Sequence, residues 1–233
     1  MPETTDTRGV IYVATGAAYV TDACASARTL REASPGIEID LYCDAADGVE
    51  DGLFDKIHII ENPHKRSKVD YIWQTRFDRA LFLDNDTRIV ADISNLFDLL
   101  DRFDLCLAHA HSRERPSTNQ TWRTEIPSCF PQLNSGVFLF RRSEAVVAMF
   151  REWADAYHAN DFTRDQVTLR ELIWLSDLRL FVLPPEYNIR YPKYLEVWDD
   201  NEAHPKILHY PEFTSGRTGK LRHAWNKLRG RKD

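Results

Sequence analysis

The sequence predicts an α/β fold on a mostly parallel sheet, and three observations carry that prediction. Short apolar runs and helical periodicities follow one another from the N-terminus in the order strand, helix, strand. That order favours parallel strands joined by right-handed crossovers. The run Ala80-Leu81-Phe82-Leu83 is continuous rather than alternating, as in a strand covered on both faces, and it stops abruptly at Asp84 and Asp86. No internal repeat or linker divides the 233 residues. Residues 1–214 therefore read as one domain and 215–233 as a basic tail.

The elements follow in order. Val10 to Ala14 is a strand, and Thr15-Gly16 marks the turn after it. Ala18 to Ala33 is helical, with Ala23, Ala27 and Leu30 at helical spacing and Pro35-Gly36 closing it. Ile37 to Cys43 alternates as a second strand, and Ile57 to Ile60 is a third. Neither GxGxxG nor GxxxxGK[ST] is present, so dinucleotide and P-loop readings lose weight. Ser67 is placed to cap a short helix carrying Lys68, Val69, Tyr71, Ile72 and Trp73. The strand ending at Asp84 comes next, then an amphipathic helix from Ser94 to Leu100 and a strand from Leu105 to Ala108.

His111 to Pro131 is polar, holds three prolines and lacks an apolar period. It reads as a long surface loop, of the kind compact domains keep for function or as a mobile lid. Asn134-Ser135-Gly136 precedes a strong strand, Val137 to Phe140. Ser143 caps a helix whose Val146, Met149, Phe150, Trp153 and Tyr157 form one apolar face, a core stripe and not a cofactor box. Thr163 with Gln166 three residues later fits a capping box. Leu180 to Leu183 is a strand stopped by Pro184-Pro185, and Ile207 to Tyr210 is a last apolar piece containing His209.

Composition bounds the class. Hydrophobic residues make up 43% and charged residues 28%, ordinary for a soluble globular protein. Met1 to Gly9 is polar and lacks an apolar h-region, so no signal peptide is expected. No apolar run reaches the length of a membrane span. Cys24, Cys43, Cys106 and Cys129 show no CxxC spacing and read as reduced thiols of a cytoplasmic protein, not a zinc site. The net charge of −6 hides an asymmetry: from Arg217 onward seven cations face one acid, a balance of +6, so the rest of the chain carries −12. With Leu221, Trp225 and Leu228 among its charges, the tail suits either peripheral contact with an anionic inner membrane face or a solvated terminal helix. No nucleic-acid partner is expected.

The chemistry concentrates at Asp84 and Asp86. Ligands of open α/β sheets bind beyond the carboxyl ends of the strands. Residues i and i+2 of an extended segment project the same way, so two hard oxygen ligands would share one side, suited to Mn²⁺ or Mg²⁺. The competing reading is a solvated acidic loop, or an Asp86 that holds a turn.

These motifs together resemble the GT-A fold glycosyltransferases, and within them family 8 and the glycogenin-like enzymes. The resemblance runs from about Val10 to His209. Tyr12 to Glu32, with Ala14, Thr15 and Tyr19, is similar to the family's nucleotide-binding first strand and helix. Lys68 matches its lysine near the donor phosphate and sugar. Leu83-Asp84-Asn85-Asp86-Thr87 matches its DxD metal motif, and Leu133-Asn134-Ser135-Gly136-Val137-Phe138 the segment lining the sugar pocket. Asp165-Gln166 matches the acidic-Gln pair beside the transferred sugar, and His209 the third protein ligand of the metal. Two departures stand out. Gly16 and Ala17 occupy places where the family often has Asn and Asp, and Gly216-Arg217-Thr218-Gly219-Lys220 lies farther from the histidine than the family's Gly and Lys.

The resemblance implies a GT-A fold with a mixed, mostly parallel sheet flanked by helices. It implies a hexosyltransferase using a nucleoside-diphosphate sugar, usually a uridine diphosphate sugar, with Mn²⁺ or Mg²⁺ and retention of anomeric configuration. Asp165 and Gln166 would then be catalytic, Asp84, Asp86 and His209 the metal ligands. Ala14, Thr15, Tyr19, Lys68, Asp84, Asn85, Asn134, Ser135, Gly136 and Lys220 would bind the donor. The acceptor, a carbohydrate, glycolipid or protein, is not specified. Each residue also has a plain structural reading: a solvated helix lysine for Lys68, a turn residue for Asn134, an acid in a first helical turn for Asp165, a cap for Gln166. Two other functions compete, a haloacid-dehalogenase-like phosphohydrolase with Asp84 as nucleophile and a non-catalytic sugar-nucleotide-binding protein.

Overall fold

Seven of the apolar runs meet in one sheet. The computed structural model describes residues 6–160, 162, 164–199 and 201–214. Within it, β1 (Arg8–Ala14), β2 (Glu38–Cys43), β3 (Lys56–Ile59), β4 (Arg79–Leu83), β6 (Leu105–His109), β7 (Leu133–Arg141) and β8 (Leu180–Val182) lie in the order β3-β2-β1-β4-β7-β6-β8. Only β7 runs against its neighbours. The strand before the acidic pair, β4, is the central one. A second, two-stranded sheet pairs β5 (Thr87–Ile89) with β9 (Ile207–His209).

Both faces of the large sheet are covered, which explains its unbroken apolar strands. On one face α1 (Ala17–Ala33) lays Val20, Ala23, Cys24, Ala27 and Leu30 against Val10, Tyr12, Leu41 and Leu81. The small residues at its contact stripe let the helix approach the sheet closely. The other face is covered by α2 (Lys68–Tyr71), α3 (Glu144–His158) and α4 (Gln166–Leu175). There Val146, Met149, Phe150 and Trp153 pack on Phe82, Phe138 and Phe140, with Tyr157 partly buried beside them. The helix α5 (Tyr194–Val197) lies outside both layers and packs Tyr194 and Leu195 near Ile189, Leu208 and Tyr210.

Several expectations change in detail. Ser94–Asp101 is a 3-10 helix, not an α-helix. Ser67 stands at the N-cap of α2, yet its hydroxyl donates backward to the His64 carbonyl at 2.8 Å and does not cap. Asn134, Ser135 and Gly136 lie inside β7, because pairing with β6 begins at Leu133 opposite His109. The strand β5 was not expected at all. The 111–131 loop is not free: Arg170 of α4 donates to the carbonyls of Phe130 (2.8 Å), Ile126 (3.3 Å) and Pro127 (3.2 Å), and buried Glu171 accepts the Arg123 backbone N–H at 2.9 Å.

All four cysteines are free thiols, three of them buried. Among the described residues no helix is long and apolar enough to cross a membrane. The basic tail from Arg217, and with it Lys220, lies outside the described residues, as does Thr163 of the expected capping box.

Candidate active site

The central strand delivers Asp84 to the sheet's carboxyl edge, where the Asp84 N–H still donates to the Gly136 carbonyl at 2.8 Å. The chain then turns. The Asp84 carbonyl accepts the Thr87 N–H at 3.2 Å and the Thr87 hydroxyl at 2.8 Å. The two carboxylates converge because of this reversal, not because the segment is extended, which corrects the expected i, i+2 geometry. A buried hydroxyl chain holds the turn from beneath. With its own hydrogen committed to Asp84, Thr87 Oγ1 must accept from Ser26 Oγ at 2.7 Å, and Ser26 in turn accepts from the Tyr12 hydroxyl at 2.9 Å. Burial pushes the Tyr12 phenol well above its ordinary value, which keeps it a donor. Asn85 Nδ2 ties the turn to the Val13 carbonyl at 3.0 Å, and the Tyr210 N–H donates to the Asp86 carbonyl at 3.1 Å.

The small sheet supplies the third candidate ligand. Its register sets His209 opposite Thr87, one residue past Asp86. His209 is 1% exposed, with Nε2 at 3.1 Å from Asp86 Oδ1 and 3.5 Å from Asp84 Oδ2. The ring's orientation follows from its other neighbours. Asn134 Oδ1 accepts the Gly136 backbone N–H at 3.1 Å, so that atom is oxygen. Asn188 must then present Nδ2 to it, at 2.9 Å, and Oδ1 to His209 Nδ1, at 2.8 Å. Nδ1 therefore carries a hydrogen, and Nε2 is the ring nitrogen turned toward the two carboxylates.

Two carboxylates beside one imidazole nitrogen concentrate negative charge that a cation between them would offset. The ligand atoms of Asp84, Asp86 and His209 fall within 4.8 Å of one another, and one imidazole with two carboxylates is a donor set that Mn²⁺ or Mg²⁺ accepts. Gly136 leaves the space: a Cβ there would overlap Asp84 Oδ2 and His209 Cε1. The residues present fit a divalent ion.

Beside this cluster Ser135 Oγ is a hub. It donates to Asp165 Oδ2 at 2.8 Å and accepts from Lys68 Nζ at 2.9 Å and Gln166 Nε2 at 3.3 Å. Lys68 is 6% exposed and lies between Asp84 Oδ1 (3.3 Å) and Asp165 Oδ2 (3.5 Å). Burial opposes ionisation of Asp84, but Lys68, His209 and Arg66 outweigh it and hold the carboxyl far below its ordinary value. The Asp165 carbonyl accepts the indole N–H of Trp153 at 2.8 Å, so a core aromatic fixes this part of the site. Asp165 is the N-cap residue of α4 and not a first-turn acid.

A cleft of about 640 Å³ opens over these groups. Thr15, Tyr19, Lys68, Asp84, Asn85, Asp86, Asn134, Asp165, Gln166 and His209 line it. Ser135 and Gly136 sit behind its wall, and the Ala14 side chain is wholly in the core, leaving its backbone for any ligand. Gly16 has φ 92°, a conformation that L side chains rarely adopt, and its N–H donates to both oxygens of Asp44, at 2.9 and 3.0 Å. That turn accounts for glycine where the resembling family often has Asn. Sequence reasoning missed Asn188, Arg66, Arg190 and the His111–Tyr191 pair. A polar residue after Pro184-Pro185 carries no local signal, because its partners come from β7 and β9.

Comparison with known proteins agrees with this architecture. The family model described as nucleotide-diphospho-sugar transferase matches residues 69–223. Among solved structures, an active-site mutant of LgtC is similar at TM-score 0.63 and 16% identity, covering 95% of each chain. GlyE of Streptococcus pneumoniae TIGR4 gives TM-score 0.62 and 18% identity over 97% of this chain and 61% of that one. Mouse xyloside xylosyltransferase 1 gives TM-score 0.58 and 15% identity over 89% of this chain and 98% of that one. A search among curated proteins gives no sequence match. The fold is that of the GT-A glycosyltransferases. The chain belongs to the nucleotide-diphospho-sugar transferase family and is a transferase, which removes the phosphohydrolase and non-catalytic readings.

Proposed function

We propose that the chain moves a hexose from a nucleoside-diphosphate sugar, a uridine diphosphate sugar by the family resemblance, to an acceptor hydroxyl with retention of configuration. Asp84, Asp86 and His209 would hold Mn²⁺ or Mg²⁺. The observation that carries this reading is the convergence of His209 Nε2 with both carboxylates, their ligand atoms within 4.8 Å of one another, in the lining of the cleft. A galactosyltransferase of similar fold, LgtC, has been solved in complex with donor and acceptor sugar analogs.

When bound, the ion would act as a Lewis acid on the departing diphosphate. The chain's own residues do the rest. Thr15, Tyr19 and Asn85 bound the nucleoside end of the cleft, and the Lys68 ammonium adds fixed positive charge beside Asp84. Asp165 is held by Ser135, by Lys68 and, at 3.6 Å, by Arg66, so its carboxylate is positioned in advance to order sugar hydroxyls. Ser135 gives its hydrogen to Asp165 and can only accept from Gln166, so Gln166 turns its Nε2 to Ser135. The amide oxygen is left to stabilise positive character at the anomeric carbon without deprotonating an acceptor, as retention requires. Single-domain organisation over 1–214 and a basic tail belong to the same proposal.

The test is a panel of nucleotide sugars with Mn²⁺, followed by NMR. Slow hydrolysis of one donor, with the first-formed sugar keeping the donor's anomeric configuration, supports the reading. No hydrolysis of any donor, or an inverted product, rejects it.

A further inference from the structure

One stretch of the cleft wall carries more positive charge than a diphosphate needs. His111 and Arg115 from the long loop, with Arg190 and Tyr191 after β8, line it. Arg113 lines a side cavity of about 90 Å³ that shares His111 and Arg190 with the cleft. Lys193 lies 6.0 Å from the ring centroids of both Tyr191 and Tyr194. After burial, Lys193, Arg115, Arg190 and Arg113 are the charges that lower the pKa of His111, so all four bear on one point.

These cations have few carboxylates near them. Arg31, Arg76, Arg79 and Lys68 each pair with a carboxylate. Among the described residues no carboxylate lies within ion-pair distance of Arg113, Arg115 or Lys193, and Arg190 meets only Asp86 Oδ2, at 3.9 Å. Four like charges around one imidazole repel, and a bound anion would relieve that cost. Next to them is a ring platform. His111 and Tyr191 lie with ring centroids 3.9 Å apart and planes inclined at 35°, Tyr191 is 39% exposed, and the Tyr194 hydroxyl pairs with His111 Nδ1 at 3.1 Å. An exposed aromatic face suits the C–H face of a pyranose.

We propose that this wall is the acceptor subsite, and that the acceptor is an anionic carbohydrate, a sugar bearing a carboxylate or a phosphate ester. The inference rests on the glycosyltransferase reading above. The sugar ring packs on Tyr191, while Arg113, Arg115, Arg190 and Lys193 receive the anionic group and leave a hydroxyl directed toward Gln166 and the donor sugar. An acidic peptide would satisfy the charge but not the ring platform.

Binding by calorimetry tests it, with and without UDP and Mn²⁺. The probes are methyl glucoside, methyl glucuronide, methyl glucoside 6-phosphate and a tetraglutamate peptide. At least one anionic glycoside should bind tenfold or more tighter than methyl glucoside and the peptide, and which one does separates carboxylate from phosphate ester. The double variant Arg115→Ala/Lys193→Ala should erase that preference while leaving UDP affinity within twofold, and Arg115→Lys should restore part of it. Equal binding of neutral and anionic glycosides, no binding of any glycoside, or peptide binding as tight as the best glycoside overturns the proposal. So does parallel loss of UDP in the double variant, which would give these cations to the donor. Failure of the underlying reading looks different: the wild type would neither bind a nucleoside diphosphate nor hydrolyse any donor.

Discussion

Asn188 Oδ1 accepts the His209 Nδ1 hydrogen at 2.8 Å and so decides which ring nitrogen faces Asp84 and Asp86. The decision is inherited: Asn188 is itself oriented by Asn134, and Asn134 by the Gly136 backbone. Partners of this kind around a metal-binding histidine are typically worth about 10–100-fold in affinity. Asn188→Ala should weaken Mn²⁺ binding by about that factor, measured by electron paramagnetic resonance of free Mn²⁺, with the fold intact by circular dichroism. Unchanged Mn²⁺ affinity would remove Asn188 from the site.

Gly136→Ala probes the space, not the ligands. Gly136 is not among the positive-φ glycines, so alanine brings no backbone strain, but its Cβ would overlap Asp84 Oδ2 and His209 Cε1. Nucleoside-diphosphate affinity in Mn²⁺ should fall by about tenfold or more, equivalent to at least about 1.4 kcal/mol. Affinity in chelator should change little. Titrating the same preparation under both conditions separates a lost metal site from a general defect.

Gln166→Ala distinguishes a catalytic amide from a structural one. Its side chain bonds Ser135 Oγ, in the wall of the cleft. Turnover should drop about a hundredfold, in the range seen when one transition-state dipole is removed, while nucleotide affinity stays nearly constant. With Asp165 at the N-cap of α4, Gln166 is the first helical residue and not the third of a Thr163 capping box, and a purely structural role there predicts lost stability of about 1 kcal/mol with normal turnover. A melting curve and a rate, taken on one sample, decide between them.

Glu171 gives the long loop a pH dependence. Burial raises its pKa, but donors from Arg123 and Thr124 outweigh that and hold it below the ordinary carboxylate range. A depressed folded pKa stabilises the folded form above the unfolded value, about 4.3 for Glu, and that stabilisation is lost as pH falls through the folded value. Hydrogen exchange of the 111–131 backbone should be slow from neutral pH down to about 5 and speed up below about 4 relative to the core strands. Glu171→Gln should abolish that acid transition and loosen the loop at neutral pH, by about 1–3 kcal/mol for a weakened buried network.

Much of the fold was legible because hydrophobic period is a local property. The strands β1, β4 and β7 and the helices α1 and α3 announce themselves within a few residues. The strand β5 does not: it has three residues and exists only by pairing with β9, the apolar piece at Ile207, across more than a hundred positions of chain. The same limit applies to the site. Asp84, Asp86 and His209 stood out through motif order, and the structure brings their ligand atoms together. Ser135 was expected at the donor, but its role as a hub depends on Lys68, 67 residues away, and Asp165, 30 away. Asn188 was invisible because a buried amide gains meaning only from what surrounds it. The convergence of the two aspartates was expected for the wrong geometric reason, since a turn locked by Thr87 does what an extended strand was expected to do.

The central claim is that a divalent ion held by Asp84, Asp86 and His209 bridges the chain to a nucleoside diphosphate. Calorimetric titration of UDP into the wild type and into Asp86→Ala, each in Mn²⁺ and in chelator, tests it most directly. The account predicts binding at least tenfold tighter in Mn²⁺ than in chelator for the wild type, and a weak, metal-independent affinity for Asp86→Ala. Equal affinity in all four titrations would contradict it.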